Sequence, residues 1–143
     1  LEKNPQNLVP IIMESAIGMR SHIDIYGNDY ETKDGTGVRD YIHVCDLARA
    51  HIDSIKYIMK YNKNLTLNLG TGTGFSVIDI LNKTIEISKK EIEYNFTKRR
   101  SGDPDILIAN SEKAKQLINW VPKSSDLDTI INSTWEVYKT HVV

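Results

Sequence analysis

The chain has 143 residues, 40% of them hydrophobic, which suffices for one domain that buries roughly two-thirds of its unfolded surface. Its 18 lysines and arginines nearly balance its 19 aspartates and glutamates, so the net charge of −1 gives no field to attract nucleic acid or an anionic membrane. No apolar run approaches the ~20 residues of a membrane-spanning helix. The single Cys45 excludes an internal disulfide and predicts a cytoplasmic location.

Apolar periodicity and turn residues predict the elements of the first half of the chain. Asn7 precedes an apolar run typical of a helix, which should stop near Gly18. Asp34-Gly35 lies between two alternating segments and signals a hairpin, and Asp46 is the predicted N-cap of a second helix. The predicted elements are a helix over 8–19, strands over 22–27 and 38–44, and a helix from 46 to 62 or 64.

The second half contains two capping-box patterns, in which a serine is followed three residues later by an aspartate. Ser76 with Asp79 and Ser125 with Asp128 should each begin a helix. The predicted elements are a strand at 67–69, a helix over 76–89, a strand over 91–97, a short helix from 110 or 111 to the NWVP segment, and a final helix from 125. Because strands and helices interleave, the predicted class is α/β or α+β.

A glycine-rich turn lies within LNLGTGTGFSVIDIL, residues 67–81, and raises the possibility of a dinucleotide site. The fingerprint of such a site is G-x-G-x-x-G, whose third glycine allows a helix to pack closely on a strand. Here the glycines are Gly70, Gly72 and Gly74, and Phe75 occupies the position that must be glycine. We therefore interpret the turn as a tight strand-to-helix connection rather than as an NAD site.

The segment GNDYETKDGTGVRDYIHVCDLARAH, residues 27–51, resembles the C-terminal half of the UDP-glucose 4-epimerases, within the extended short-chain dehydrogenase/reductase superfamily. Further matching segments follow the family's order and spacing: NLVP (7–10), LNLGTG (67–72), RRSGDPD (99–105) and SEKA (111–114). The resemblance implies that residues 1–143 are a C-terminal UDP-sugar-binding domain, an α/β (α+β) substrate-binding lobe. It also implies that the Rossmann domain, with NAD and the Tyr-x-x-x-Lys pair, is missing from the chain, which starts at Leu1 rather than at Met.

The same resemblance implies an activity for the parent protein. Such an enzyme interconverts UDP-glucose and UDP-galactose through a 4-keto intermediate with bound NAD. We expect the isolated chain to lack catalytic residues and to be inactive. We also expect it to self-associate through an apolar surface, whereas the parent would be a homodimer.

The resemblance assigns Arg39 and Arg100 to the diphosphate of a UDP-sugar. Guanidinium groups suit phosphate oxygens because they donate in a fixed fork. The amides of Asn7 and Leu8, at the start of the first helix, should meet the same anion. Arg99, beside Arg100, is predicted to be solvated.

The remaining predicted site residues concern the nucleoside and the sugar. The backbone from Asp24 to Tyr26 would pair with uracil, with Tyr26 closing the pocket, and Asp103 would accept hydrogen bonds from the ribose hydroxyls. Leu107 would line the sugar pocket, where its intermediate size leaves acceptance of an N-acetyl group open. All of these roles are implied by the resemblance.

Other polar residues are predicted to be structural. Tyr41 and His43 alternate with apolar neighbours on the predicted strand, which favours packing over acid–base chemistry, and the histidines have no metal-ligand spacing. Two alternatives to the epimerase remain open. One is a sister enzyme such as a UDP-N-acetylglucosamine epimerase or a UDP-sugar dehydratase or decarboxylase, and the other is a non-catalytic remnant or interaction module.

Overall fold

The computed structural model describes residue 1 and residues 3–141. The helices are α1 (Leu8–Ala16), α2 (Val44–Tyr61), α3 (Val77–Ser88), α4 (Glu112–Ile118) and α5 (Leu127–Tyr138), and α5 continues into a short 3₁₀ turn at Lys139–His141. The strands are β1 (Ile23–Tyr26), β2 (Val38–Arg39), β3 (Phe75–Ser76), β4 (Tyr94–Thr97) and β5 (Ile106–Leu107). The predicted mixture of helices and strands is confirmed.

The strands form two small sheets. β1 pairs in parallel with β4, with Ile23 opposite Tyr94, and these two strands form the first sheet. β2 is the central strand of the second sheet, where it pairs antiparallel with β3 and parallel with β5. The residue order of β2 therefore places Arg39 between Phe75 and Leu107.

The main core lies between α1, β1, α3 and α5. The inward residues of β1 are Ile23 and Ile25, which alternate with exposed neighbours as a one-sided strand requires. Helix α1 contributes buried residues to this core. It ends before Gly18, whose φ of +86° is a backbone conformation that glycine adopts readily and other residues rarely adopt. The buried residues of this core are Ile12, Met13, Ala16, Ile17, Ile23, Ile25, Ile80, Leu81, Ile92, Ile130, Ile131 and Tyr138.

Helix α2 has two different faces. Its inner face contributes Ala50 to a smaller cluster with Ala114 and Trp120, against helix α4. Its outer face presents a stripe of apolar side chains that are exposed. They are Val44, Leu47, Ile52, Ile55, Ile58 and Met59. No element among the described residues covers this apolar face, and such faces are typical of surfaces that pack against another protein surface.

The predicted Asp34-Gly35 hairpin is wrong, because the strands on either side of the loop belong to different sheets. Gly35 does take a φ of +78°, and the Asp34 carboxylate accepts hydrogen bonds from the amide and hydroxyl of Thr36 at 2.9 and 2.7 Å. The Ser76 hydroxyl also donates to Asp34. The dipeptide therefore ties its loop to the start of α3 rather than turning one strand back on another.

Two predicted helix caps are shifted. The N-cap of α2 is His43, whose Nδ1 accepts the amide of Cys45 at 3.1 Å, and Asp46 lies in the first turn. The N-cap of α5 is Asp126, whose carboxylate binds a first-turn amide, whereas Ser125 faces inward and donates to Asp46. Both predicted caps failed because their side chains bind each other. The Ser76–Asp79 capping box at α3 is confirmed with both of its hydrogen bonds.

The strand lengths also differ from the prediction. The strand predicted over 38–44 is only β2, and the segment at 67–69 is not a strand. β4 covers the second half of the predicted strand over 91–97, and the two-residue β5 was not predicted. These short segments are fixed by contacts with distant parts of the chain, so their own residue patterns carry little signal.

Candidate functional site

A cleft lined by both polar and apolar side chains lies between the start of α1, strands β1 and β2, and the loop that follows β4. The predicted site residues that line this cleft are Leu8, Asp24, Tyr26, Arg39, Arg100 and Asp103. Asn7 is the N-cap residue beside the cleft, and Leu107 lines a neighbouring cavity that shares Arg39. Residues that are far apart in sequence thus meet around one opening.

The edge of β1 that faces away from β4 supplies backbone groups to the cleft. The amide of Ile23 donates to the Glu93 carbonyl at 3.0 Å, and the amide of Gly27 donates to the Thr97 carbonyl at 2.9 Å. In a parallel pair alternate residues point to the same neighbour, so Asp24 and Tyr26 direct their amides and carbonyls to the opposite side. Among the described residues no strand pairs with that side, so this edge can bind a flat donor–acceptor group.

The N-terminus of α1 adjoins the same opening. Asn7 has extended N-cap angles, but its side chain makes no hydrogen bond to the first-turn amides. Those amides have no acceptor within the helix, and they carry the positive end of the helix dipole. Since Gln6 and Leu8 line the cleft, this helix end lies beside Arg39 and Arg100 and can contribute to an anion site.

Arg39 and Asp103 form an ion pair inside the cleft. One guanidinium nitrogen of Arg39 binds Asp103 Oδ1, and the other donates to the Val38 carbonyl at 2.7 Å. The hydroxyl of Tyr30 donates to Asp103 Oδ2 at 3.0 Å. Burial, together with the hydrogen bond to Asp103, raises the pKa of Tyr30. Both oxygens of Asp103 are thus bonded within the protein.

The two neighbouring arginines have different environments. Arg100 is exposed, and its Cζ lies 4.2 Å from the centre of the Tyr26 ring. Arg99 was predicted to be solvated, and this is wrong, because its side chain binds Asp105 at 2.7 Å and its Cζ lies 4.0 Å from the centre of the Tyr30 ring. Arg100 therefore remains available at the cleft, whereas Arg99 is part of the structure that supports it.

The Arg99–Asp105 pair connects two loops. Asp105 also accepts the Glu31 amide at 3.0 Å, so it holds the loop after β1 against the loop before β5. The hydrogen bonds from Glu31 and then from Arg99 lower the pKa of Asp105. In turn, the hydrogen bond to Asp105 raises the pKa of Arg99. These contacts fix the backbone near Asp103.

The backbone amides of the glycine turn donate hydrogen bonds to the carboxylate of Asp40. Asp40 Oδ1 accepts the amide and the hydroxyl of Thr71, at 2.9 and 2.7 Å. Asp40 Oδ2 accepts the amides of Gly72 and Ala109, at 3.1 and 3.3 Å. The turn amides that a phosphate would need already donate to Asp40, so the described residues of this turn do not fit the diphosphate of NAD.

Close packing explains two of the glycines in this turn. A Cβ at Gly70 would lie 2.5 Å from Asp40 Oδ2, and a Cβ at Gly74 would lie 2.4 Å from Val38 Cγ1. The absence of side chains therefore lets the turn approach β2 and its carboxylate. This geometry supports the interpretation of the segment as a structural connection.

Tyr41 and His43 are integrated into the structure. Tyr41 packs against the main core, and burial raises its pKa to about 12, although the charge of Arg39 opposes this. Tyr41 also lines the cleft, although it was predicted to be a packing residue. His43 caps α2, and its Nε2 lies 3.0 Å from the hydroxyl of Ser133.

Tyr30 was not among the predicted site residues, although its hydroxyl reaches the cleft from the loop after β1. The signal available in the sequence was its place inside the GNDYETKDGTG segment, which carries part of the resemblance. Nothing local indicates its partner, because Tyr30 and Asp103 are 73 positions apart.

Solved structures with this fold include UDP-glucose 4-epimerases. The enzyme from Stenotrophomonas maltophila, with bound NAD and formylated UDP-arabinopyranose, matches with a TM-score of 0.92 and 34% identity over 99% of this chain and 42% of that one. The enzyme from Bifidobacterium longum, in complex with NAD+ and UDP, matches with a TM-score of 0.86 and 33% identity over 99% and 42%. The chain thus has a mixed α/β fold that matches these UDP-glucose 4-epimerases over about two-fifths of their length.

Sequence comparison leads to the same group. The UDP-glucose 4-epimerase of Lacticaseibacillus casei is 47% identical over 135 residues, which cover 94% of this chain and 41% of the relative. The chain thus spans about two-fifths of the length of that relative, in agreement with the resemblance to a C-terminal portion. Residues 2–134 match the family described as GDP-mannose 4,6 dehydratase, and the chain belongs to this family.

Among the residues that the structure describes, no helix combines the length and the apolar character required to cross a bilayer.

Proposed function

We propose that the chain is the UDP-sugar-binding portion of a UDP-glucose 4-epimerase that interconverts UDP-glucose and UDP-galactose. The observation that carries this proposal is the meeting of three kinds of group around one cleft. These are two arginines, the N-terminus of α1 and the free edge of β1. They suit the diphosphate and the uracil of a UDP-sugar, and the carboxylate of Asp103 suits its ribose diol.

The diphosphate would lie between Arg39, Arg100 and the first-turn amides of α1. Arg100 has no carboxylate partner among the described residues, so it can turn to an incoming anion without breaking an ion pair. Arg39 must instead exchange Asp103 for a phosphate oxygen. Charge-assisted bonds of this kind are stronger than neutral ones, and the two guanidinium groups would set the position of the nucleotide.

Uracil would bind the outward backbone groups of Asp24 and Tyr26. The stacking of Arg100 on the Tyr26 ring places an aromatic surface next to the diphosphate position, so base and phosphate sites are adjacent. The role of this chain would be to bind and orient the sugar nucleotide, which lowers the entropic part of the barrier.

The chemistry that NAD would supply is the removal of hydride from C4 of the sugar and its return, through a 4-keto sugar. The glycine turn of this chain does not fit NAD, so we propose that another part of a longer protein holds the cofactor and the catalytic groups. The account accordingly predicts no epimerase turnover by the 143-residue chain alone.

The exposed outer face of α2 supports this proposal of a longer protein. Val44 and Met59, at opposite ends of the helix, are 73% and 80% exposed, and apolar residues follow one stripe between them. We propose that this stripe packs against the NAD-binding domain of the parent. In the isolated chain the same stripe would drive self-association.

The sugar would extend from Arg39 toward the neighbouring cavity. Leu107 lines that cavity with a side chain that is 59% exposed, so it can contact a substituent on the sugar. UDP-glucose and UDP-galactose are the proposed substrates. A UDP-N-acetylhexosamine remains the second candidate, because a leucine leaves more room than a tyrosine would at this position.

A calorimetric titration of the chain with UDP, with NAD titrated in parallel, tests the proposal. We expect UDP to bind with a stoichiometry of one and NAD to give no heat beyond dilution. UDP binding that persists unchanged in an Arg39→Ala variant would count against the proposed cleft. Binding of NAD but not of UDP would refute the proposal and return the glycine turn to consideration.

A further inference from the structure

Tyr30 occupies a fixed position at the back of the cleft. Its side chain is 5% exposed, and its ring lies under Arg99. A Cβ at Gly27 would come within 2.4 Å of Tyr30 Cε2 and within 2.8 Å of Arg99 Cβ, so the ring fits there because residue 27 is a glycine. The ring therefore packs closely against Gly27 and Arg99, and its hydroxyl has a defined direction.

The hydroxyl of Tyr30 points at Asp103 Oδ2, while Arg39 binds Oδ1. These two bonds hold the carboxylate from opposite sides when no ligand is bound. A diphosphate that attracts Arg39 would remove one of them. Asp103 would then keep only the tyrosine hydroxyl to fix its rotamer.

We propose that Tyr30 is a positioning residue, which keeps the Asp103 carboxylate oriented toward a ribose diol after Arg39 has moved to the diphosphate. This inference rests on the proposed function. In this arrangement Arg39 exchanges one anion for another, and the tyrosine prevents the released carboxylate from turning into solvent.

The environment of the phenol supports this assignment. Because burial and the bond to Asp103 raise the pKa of Tyr30, the hydroxyl remains a proton donor at neutral pH. The backbone near Asp103 does not depend on that hydroxyl, since Arg99, Asp105 and Glu31 brace the two loops separately. Removing only the hydroxyl should therefore leave the loops and the stacked ring in place.

The test compares UDP with 2′,3′-dideoxy-UDP in the wild-type chain and in Tyr30→Phe. We expect the variant to bind UDP about tenfold more weakly, as befits the loss of a hydrogen bond to a charged group. Its affinity for the dideoxy ligand should be unchanged, because that ligand offers no ribose hydroxyls to Asp103. The matched control is Tyr94→Phe, at an exposed tyrosine on β4, which should behave as wild type.

The preference for UDP over the dideoxy ligand is measured within each variant, so a partly unfolded sample does not distort it. An equal loss of both affinities, or no loss of either, overturns the proposal. A second variant, Asp103→Ala, should remove the preference, and adding Tyr30→Phe to it should change nothing further. If the wild-type chain binds UDP but Tyr30→Phe keeps the full preference, only this inference fails. If the wild-type chain binds neither ligand, the proposed function fails with it.

Discussion

Replacing Asp46 with alanine should destabilise the chain strongly, because this buried carboxylate joins two segments that are far apart in sequence. Its side chain is fully buried, and Oδ2 accepts the amides of Lys123 and Ser124 at 2.9 and 2.8 Å and the Ser125 hydroxyl at 2.6 Å. Oδ1 lies 2.9 Å from a guanidinium nitrogen of Arg49. Asp46 thereby connects the first turn of α2 to the segment that leads into α5.

The expected loss follows from the donors that the substitution would leave without an acceptor. A buried donor without a partner costs about 1–3 kcal/mol, and removing one partner of a buried ion pair costs about 3–5 kcal/mol. Water can reach part of this segment, so we expect about 3–4 kcal/mol in all. A domain of this size has a free energy of unfolding of about 5–15 kcal/mol, so Asp46→Ala should remove a large share of it.

The loss should depend on pH. Burial by itself raises the pKa of Asp46, but the hydrogen bonds from Ser125, Ser124 and Lys123 and the charge of Arg49 outweigh it and lower the pKa overall. A lowered pKa means that the contribution is complete above the unfolded-state value of about 3.9 and disappears as the pH falls through the folded-state pKa. The difference between wild type and variant should therefore be largest near neutral pH and shrink in acid.

Urea denaturation followed by circular dichroism measures both quantities. The control is Asp53→Ala, which removes a surface pair with Lys56 on the same helix and should cost less than about 1 kcal/mol. A loss of less than about 1 kcal/mol for Asp46→Ala at neutral pH, or a loss that does not shrink in acid, would refute the reasoning.

Three further predictions follow from the same structure. Gly74→Ala would place a Cβ 2.4 Å from Val38 Cγ1, and it should lower the free energy of unfolding by about 1–3 kcal/mol in urea titrations. Arg100→Ala should weaken UDP binding about tenfold or more by calorimetry, whereas Lys98→Ala should not, and equal effects would contradict the cleft. Sedimentation of the wild-type chain should show association that weakens in Met59→Lys, and a wild-type monomer at high concentration would argue against an apolar interface.

Much of the helical structure could be predicted because helices are specified locally. The capping box of Ser76 and Asp79 lies within one turn, and the apolar periodicity of α5 spans adjacent turns, so sequence spacing alone identifies both. The glycine turn could also be interpreted as a structural connection, since Phe75 breaks the dinucleotide fingerprint, although the strand predicted before it does not form. The hydrogen bond from the Thr71 amide of this turn to Asp40 could not be predicted, because the two residues are 31 positions apart.

The failures have the same cause. Asp46 and Ser125 both satisfy the composition rules for a cap, and only the folded chain shows that they bind each other across 79 positions. The candidate site was predicted from the resemblance rather than from residue spacing. The resemblance assigns Arg39 to the diphosphate and Asp103 to the ribose, and it gives no contact between the two. That the two form an ion pair in the absence of ligand could not be inferred from either segment alone.

The most direct measurement is a titration of the isotopically labelled chain with UDP, followed through its backbone amide resonances. The account predicts the largest shifts at the start of α1, at the outward amides of β1 and around Arg39 and Arg100, with little change at Thr71 and Gly72. Shifts centred on the glycine turn, or no saturable shifts in the cleft, would contradict the claim that this cleft binds the nucleotide of a UDP-sugar.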